Sequence, residues 1–199
     1  MELIQHTPEL SAYLAAGEAI DHEHSLVRGI AVRLTVDHPD AYSYAKAAFE
    51  LVRDTIGHSA DVGDARVPWR ASEVLRQGVG TCYAKSHALV ALLRARSVPA
   101  ALCYQRLAEE DGSDPVIHGL VAVRLPGRGV WARQDPRGNK PGVDAQFTQD
   151  RERLAFSVRP ESNEVDYPVL YAEPHPVVLN ALQAAPDRAY LWKTLPTEL

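Results

Sequence analysis

Apolar positions in the first half of the chain recur mainly at steps of three and four, whereas past residue 99 they alternate with polar ones. The first spacing is that of one helix face and the second that of one strand face. Tyr42, Ala45, Phe49, Val52 and Ile56 keep the helical step, which predicts an amphipathic helix over 39–56. Asp37 is its expected cap, Pro39 stands in its first turn and Gly57 closes it. Ahead of it, 8–15 predicts a short helix. Residues 26–36, with Val27, Ile30, Val32 and Leu34 on the apolar side, predict a strand whose phase slips near Gly29.

Residues 72–76 predict one helical turn, which the two glycines of Gln77-Gly78-Val79-Gly80-Thr81 break. A helix resumes over 82–96. Its ridge of Ala84, Ala88, Ala91 and Ala95, with Leu89, Leu92 and Leu93, is apolar on most sides, so the helix should be central and buried. Arg94 and Arg96 suit its negative C-terminal end, and Val98-Pro99 stops it. Strands are predicted over 100–106, 118–125 and 130–135, the last two joined by a turn at Pro126-Gly127-Arg128-Gly129. Weaker strands are predicted over 143–147 and 154–158. Two helices close the chain over 177–185 and 187–193. Helices, then strands, then helices predict an α+β fold. The expected organisation is one domain over 1–199, with a core of about 37–160 on which both terminal segments pack.

Composition narrows the function. The chain is 46% hydrophobic and 24% charged, the balance of an ordinary globular protein. Its net charge of −5 has lysines and arginines scattered among acids, which disfavours nucleic acid as a partner. No apolar run approaches the roughly 20 residues of a membrane-spanning helix, and the start lacks the pattern of a signal peptide. The two cysteines, Cys82 and Cys103, make no disulfide framework. The reading is a cytoplasmic protein with reduced thiols and no cofactor.

Position singles out Cys82. A free thiol ionises near pH 8.5, but unpaired N–H groups and the positive dipole end of a helix N-terminus favour the thiolate. Cys82 is predicted there, after a Gly-rich break that exposes it. Cys103, mid-strand between Leu102 and Tyr104, reads instead as a buried structural cysteine. A cysteine nucleophile needs an imidazole, and the imidazole an orienting group. His118 opens one predicted strand and Asp135 closes the next, 17 residues on, with the turn midway. An antiparallel hairpin sets those two ends side by side. Taken singly, they also fit a surface histidine and a turn-starting Asp-Pro.

Together these elements resemble the transglutaminase-like superfamily of papain-type thiol enzymes. The resemblance is carried by 71–86, with Gly80-Thr81-Cys82 as the start of the core helix, and by Leu92-Leu93-Arg94-Ala95-Arg96-Ser97-Val98-Pro99-Ala100. His118 in a strand and Trp131-Ala132-Arg133-Gln134-Asp135-Pro136 complete it. It implies a papain/transglutaminase-like core, a central cysteine-bearing helix packed on an antiparallel sheet. It further implies Cys82 as nucleophile, His118 as base and Asp135 as orienter. Gly138-Asn139-Lys140 and Tyr171-Ala172-Glu173-Pro174 are similar to a small bacterial subgroup. The chain departs from the pattern at Leu120, where a Trp is common, and at Ser97, where Gly is usual. The second oxyanion donor is unassigned, with Gln77 and Trp69 as candidates.

The expected activity is thiol-dependent acyl transfer on amide or ester carbonyls, hydrolytic in outcome, with a peptide or small amide as substrate. Protein-glutamine crosslinking, a non-catalytic peptide-binding relative and an arylamine acetyltransferase are the alternatives. No EF-hand calcium loop is present. His22 and His24, with His58 or His87, offer a weaker metal reading, outweighed by an exposed acidic turn. The acidic stretch Glu109-Glu110-Asp111-Gly112-Ser113-Asp114 reads as a solvated turn or a specificity loop before His118.

Overall fold

The structure, a computed structural model, describes residues 1–108 and 113–199. Most of the acidic stretch, 109–112, therefore lies outside the described residues. In chain order the elements are β1 (Ile4–Gln5), α1 (Ser25–Asp37), α2 (Ala41–Thr55), β2 (Gly57–His58), α3 (Ser59–Val62), α4 (Ala71–Gln77), β3 (Val79–Gly80) and α5 (Cys82–Arg94). They continue as β4 (Ala100–Leu107), β5 (Val116–Val123), β6 (Ala132–Gln134), β7 (Val165–Asp166), β8 (Val169–Leu170), α6 (Pro176–Ala184) and α7 (Arg188–Lys193). The fold is α+β, as the order of patterns predicts.

Helix α5 is the hub. Every residue from Tyr83 to Arg94 is buried, and the helix packs on β4 and β5 and against α1, α2 and α4. The sheet runs β6-β5-β4-β7, antiparallel throughout. Leu102, Tyr104, Val121 and Val123 join the core around α5, whereas the alternate residues Ala101, Cys103, Leu120 and Ala122 pack with Tyr13 and Leu170. That is the period of two expected of a sheet buried on both faces. At the far end of α5, the Arg94 guanidinium donates to the carbonyls of Ala15, Ala100 and Ala172. One buried cation thus ties both terminal segments to the core.

Several sequence expectations are corrected. Residues 26–36 form helix, not strand: Val27, Ile30, Ala31 and Leu34 share one helix face, and His24 Nδ1 accepts the Leu26 N–H at 3.2 Å as the cap. The cap of α2 is Asp40, whose carboxylate accepts the Tyr42 and Ser43 N–H groups at 3.1 and 3.0 Å, while Asp37 ends α1. Gly57 does not merely close α2 but enters β2. The 8–15 stretch is a 3-10 turn over Leu10–Leu14. No paired strand forms over 143–147 or 154–158. The Asn139 side chain takes both the N–H and the C=O of Ala145, and the Ala155 N–H goes to Asp135. Backbone groups a neighbouring strand would use are thus committed to side chains.

Candidate active site

The turn that frees Cys82 is built from two glycines with different tasks. Gly78 ends α4 at φ +67°, the left-handed conformation that favours glycine. Gly80 lacks a side chain because a Cβ there would come within 2.9 Å of the Ala84 Cβ. Thr81 then caps α5, its hydroxyl accepting the Ala84 N–H at 3.4 Å. Cys82 is the first helical residue and the half-buried exception in a buried helix. Its N–H and that of Tyr83 have no intrahelical carbonyl to meet.

Strand β5 brings His118 against this helix end. The register Val121↔Gln134, continued one step beyond β6, sets Asp135 opposite Leu120, two residues from His118. The hairpin logic read from the sequence therefore describes the observed geometry. His118 Nε2 lies 2.8 Å from Asp135 Oδ2, and both side chains are buried. The Cys82 side chain lies close enough for the ring and the thiol to act on each other's charge, and both line one cavity. Asp135 is held in turn: Oδ2 also accepts the Ala155 N–H at 3.0 Å and Oδ1 the Arg137 N–H at 3.1 Å. The three predicted site residues thus stand in one line, His118 hydrogen-bonded to Asp135 and beside Cys82.

Electrostatics follow from that line. Burial pushes the Cys82 thiol up, but the His118 charge and hydrogen bond, with help from His58, outweigh it and bring the thiol down to about 6. Burial alone would lower His118, but Asp135 and the Cys82 thiolate raise it to about 10. Burial also opposes ionisation of Asp135, yet His118 and the two backbone N–H groups hold its carboxyl below the usual range. At neutral pH the favoured state is a thiolate–imidazolium pair anchored by a carboxylate. Cys103 is the contrast: fully buried with no such partner, its thiol is pushed up.

The sulfur opens into a cavity of about 1040 Å³. Phe156 stands edge-on to His118, with ring centroids 5.3 Å apart, and the Arg137 guanidinium lies 5.8 Å from the Phe156 centroid. Arg137 and Lys140 both bond Asp61, fixing the 137–140 turn to α3. Trp192 and Lys193 of α7 line the same cavity, so the C-terminal segment helps enclose the site.

Sequence reasoning missed His58 as a neighbour of Cys82. Strand β2 pairs with β3 in parallel, His58 opposite Gly80, and its imidazole lines the cavity beside the cysteine and helps to lower its thiol. A two-residue pairing across more than twenty positions leaves no periodic signal. Gln77 and Trp69 do not line the cavity; the Trp69 carbonyl instead holds His87 Nδ1 at 2.8 Å, and burial lowers that imidazole to about 4. His24 is a helix cap. Among the described residues, no three His, Cys, Asp or Glu side chains are grouped to hold a metal. No helix there is long and apolar enough to cross a membrane. The two departures from the resemblance also lie off the cavity. Leu120 is buried in the second cluster, and Ser97 turns the end of α5 at φ +56°.

The family model described as the transglutaminase-like superfamily matches residues 28–136, more than half of the chain. The chain belongs to the transglutaminase-like superfamily. Among solved structures, this transglutaminase-like chain is similar to a candidate cysteine protease from Cytophaga hutchinsonii, at 18% identity and a TM-score of 0.54 over 66% of this chain and 43% of that one. That likeness shows the papain/transglutaminase-like fold. The periplasmic domain of TgpA from Pseudomonas aeruginosa, solved bound to ethylmercury, matches at 21% identity and a TM-score of 0.42, over 55% of this chain and 42% of that one. The chain thus spans less than half the length of either structure. No curated protein matches it.

Proposed function

We propose that this transglutaminase-like chain is a thiol-dependent acyl-transfer enzyme, with Cys82 as nucleophile, His118 as acid and base, and Asp135 as orienter. One observation carries the reading: a cysteine on the first turn of a helix shares a cavity with, and is electrostatically coupled to, an imidazole that sits 2.8 Å from a buried carboxylate. A structural cysteine has no use for that arrangement, and Cys103 in the same fold lacks it.

The Cys82 sulfur adds to the carbonyl carbon of an amide or ester, and the C=O π pair moves to oxygen. The pair returns, the C–N or C–O bond breaks, and the His118 imidazolium gives its proton to the leaving group. A thioester remains on Cys82. Water, deprotonated by His118, attacks that thioester, and the thiolate leaves. The substrate class is a peptide or small amide and the outcome hydrolysis; an amine in place of water would give transfer or crosslinking.

The test is intact-protein and peptide mass spectrometry after exposure to a panel of amide and ester acyl donors. Wild type should carry an acyl group at residue 82 and turn over, while Cys82→Ala carries none. A panel that leaves no covalent adduct on wild-type Cys82 would sink the enzyme reading.

A further inference from the structure

Cys82 has a second imidazole beside it, which the line of three residues does not use. His58 is carried on β2, paired with Gly80 two residues before the cysteine, and it lines the same cavity. Its ring lies close enough to act on the Cys82 thiol alongside His118. The Trp192 ring stands edge-on to it at 6.5 Å. Among the described residues no carboxylate orients it as a base: its Nδ1 is buried with no hydrogen-bond partner there, and nearby Asp61 is bonded to Arg137 and Lys140. A buried nitrogen without a partner is tolerated better as a bare acceptor than as an orphaned N–H. A ring with a bare Nδ1 carries its proton on Nε2 and remains a donor.

We propose that His58 is the second oxyanion donor, its imidazole N–H acting with the Cys82 backbone N–H to hold the carbonyl oxygen of the tetrahedral intermediate. The assignment rests on the acyl-transfer reading above. As the S–C bond forms, the π pair of the carbonyl collects on oxygen beside the helix N-terminus, where these two donors meet it. When the pair returns to re-form C=O and expel the leaving group, both hydrogen bonds weaken. No electron is gained or lost, and His58 gives up no proton.

An alkyl halide separates this role from mere support of the thiolate, because its displacement by sulfur generates no oxyanion. Burst release of 4-nitrophenolate from 4-nitrophenyl acetate and alkylation by iodoacetamide are measured for wild type, H58A, H58Q and H58N, with circular dichroism to check folding. Expected for H58A is acylation slowed on the order of 10²-fold, with alkylation within about threefold of wild type. H58Q, which retains a reaching N–H, should recover most of the acylation, and the shorter H58N should not. Should H58A fail to fold, the difference between H58Q and H58N decides. Acylation and alkylation slowed by one common factor, or an acylation rate unchanged by any substitution, would overturn the assignment of His58 while leaving Cys82 as nucleophile. A wild type that takes up no acetyl group at Cys82 would overturn both.

Discussion

Gly119 meets Tyr83 so closely that a Cβ on the glycine would lie 2.8 Å from Tyr83 Cδ1 and 3.3 Å from its Cα. These residues adjoin His118 and Cys82, so the contact sets how near β5 can come to the first turn of α5. The Tyr83 hydroxyl, donating to the Ile117 carbonyl, draws the same two elements together. Gly119→Ala must separate them, because one of the crowded atoms is backbone. The expected cost is about 1–3 kcal/mol of stability, the range of an overpacked core, read from chemical denaturation. In the folded variant, His118 recedes from the sulfur and iodoacetamide alkylation at pH 7 slows. Wild-type stability and reactivity together would show that the contact does not govern the site.

The ion pair predicts a pH profile. With the Cys82 thiol lowered to about 6 and His118 raised to about 10, the thiolate–imidazolium state fills the interval between. Acylation should rise as pH climbs through about 6, because the thiolate forms, and fall through about 10, because the leaving group loses its acid. These midpoints belong to the coupled pair rather than to either residue. In His118→Ala the positive partner is gone, and alkylation of Cys82 should require pH near or above the ordinary thiol value of about 8.5. Rate-versus-pH curves for iodoacetamide, monitored by peptide mass spectrometry at Cys82, give the check. An unchanged midpoint in His118→Ala would mean that the helix end, not the imidazole, activates the thiol.

Much of this was legible in the sequence, and the failures have physical causes. The run Ala84, Ala88, Ala91 with Leu89, Leu92 and Leu93 allowed only a buried helix, and the turn at 126–129 fixed the hairpin that carries His118 and Asp135. Helix α1 was misread because Val32 and Val36, 60% and 77% exposed, lie off its buried face and smear the helical period. The slip near Gly29 was the helical step itself. Asp37 and Asp40 bracket the same proline, and spacing does not say which of them caps α2. Strands expected over 143–147 and 154–158 had suitable residues, but Asn139 and Asp135 claim their backbone. His58 reaches the site through a pairing too short and too distant in sequence to leave a pattern.

Asp135→Asn is a sharper probe than Asp135→Ala. Oδ1 accepts the Arg137 N–H, and Oδ2 accepts the Ala155 N–H while facing His118 Nε2. Whichever way an asparagine is turned, its NH₂ confronts at least one backbone N–H that the carboxylate satisfied. It also removes the charge that keeps His118 protonated. The variant should lose about 1–3 kcal/mol of stability from the unsatisfied donor. Turnover should fall on the order of 10⁴-fold, the effect of exchanging the orienting acid of a triad for its amide. Thermal denaturation with steady-state rates on whichever acyl donor labels Cys82 tests both. Loss of stability with turnover intact would leave Asp135 a structural residue only.

Lys85 is the buried charge one turn below Cys82. Its side chain is sealed from solvent, and its Nζ donates to the carbonyls of Ile56 and, at 3.3 Å, Arg53, at the end of α2. Burial lowers its pKa to about 8, against about 10.4 in the unfolded chain. Between these values the unfolded state holds more protons, so this group's share of stability rises with pH across that interval. Below it, the folded protein carries a desolvated ammonium that its two carbonyls only partly compensate. Lys85→Met removes the charge, and with it the climb, but leaves both carbonyls without their donor. The stability of wild type relative to Lys85→Met should therefore grow from pH 8 to pH 10.4, by up to about 3 kcal/mol at roughly 1.4 kcal/mol per pKa unit. Urea titrations of the two proteins at pH 7.5 and 10.5 measure it. A difference that stays flat would place the Lys85 pKa at its unfolded value and contradict the burial seen here.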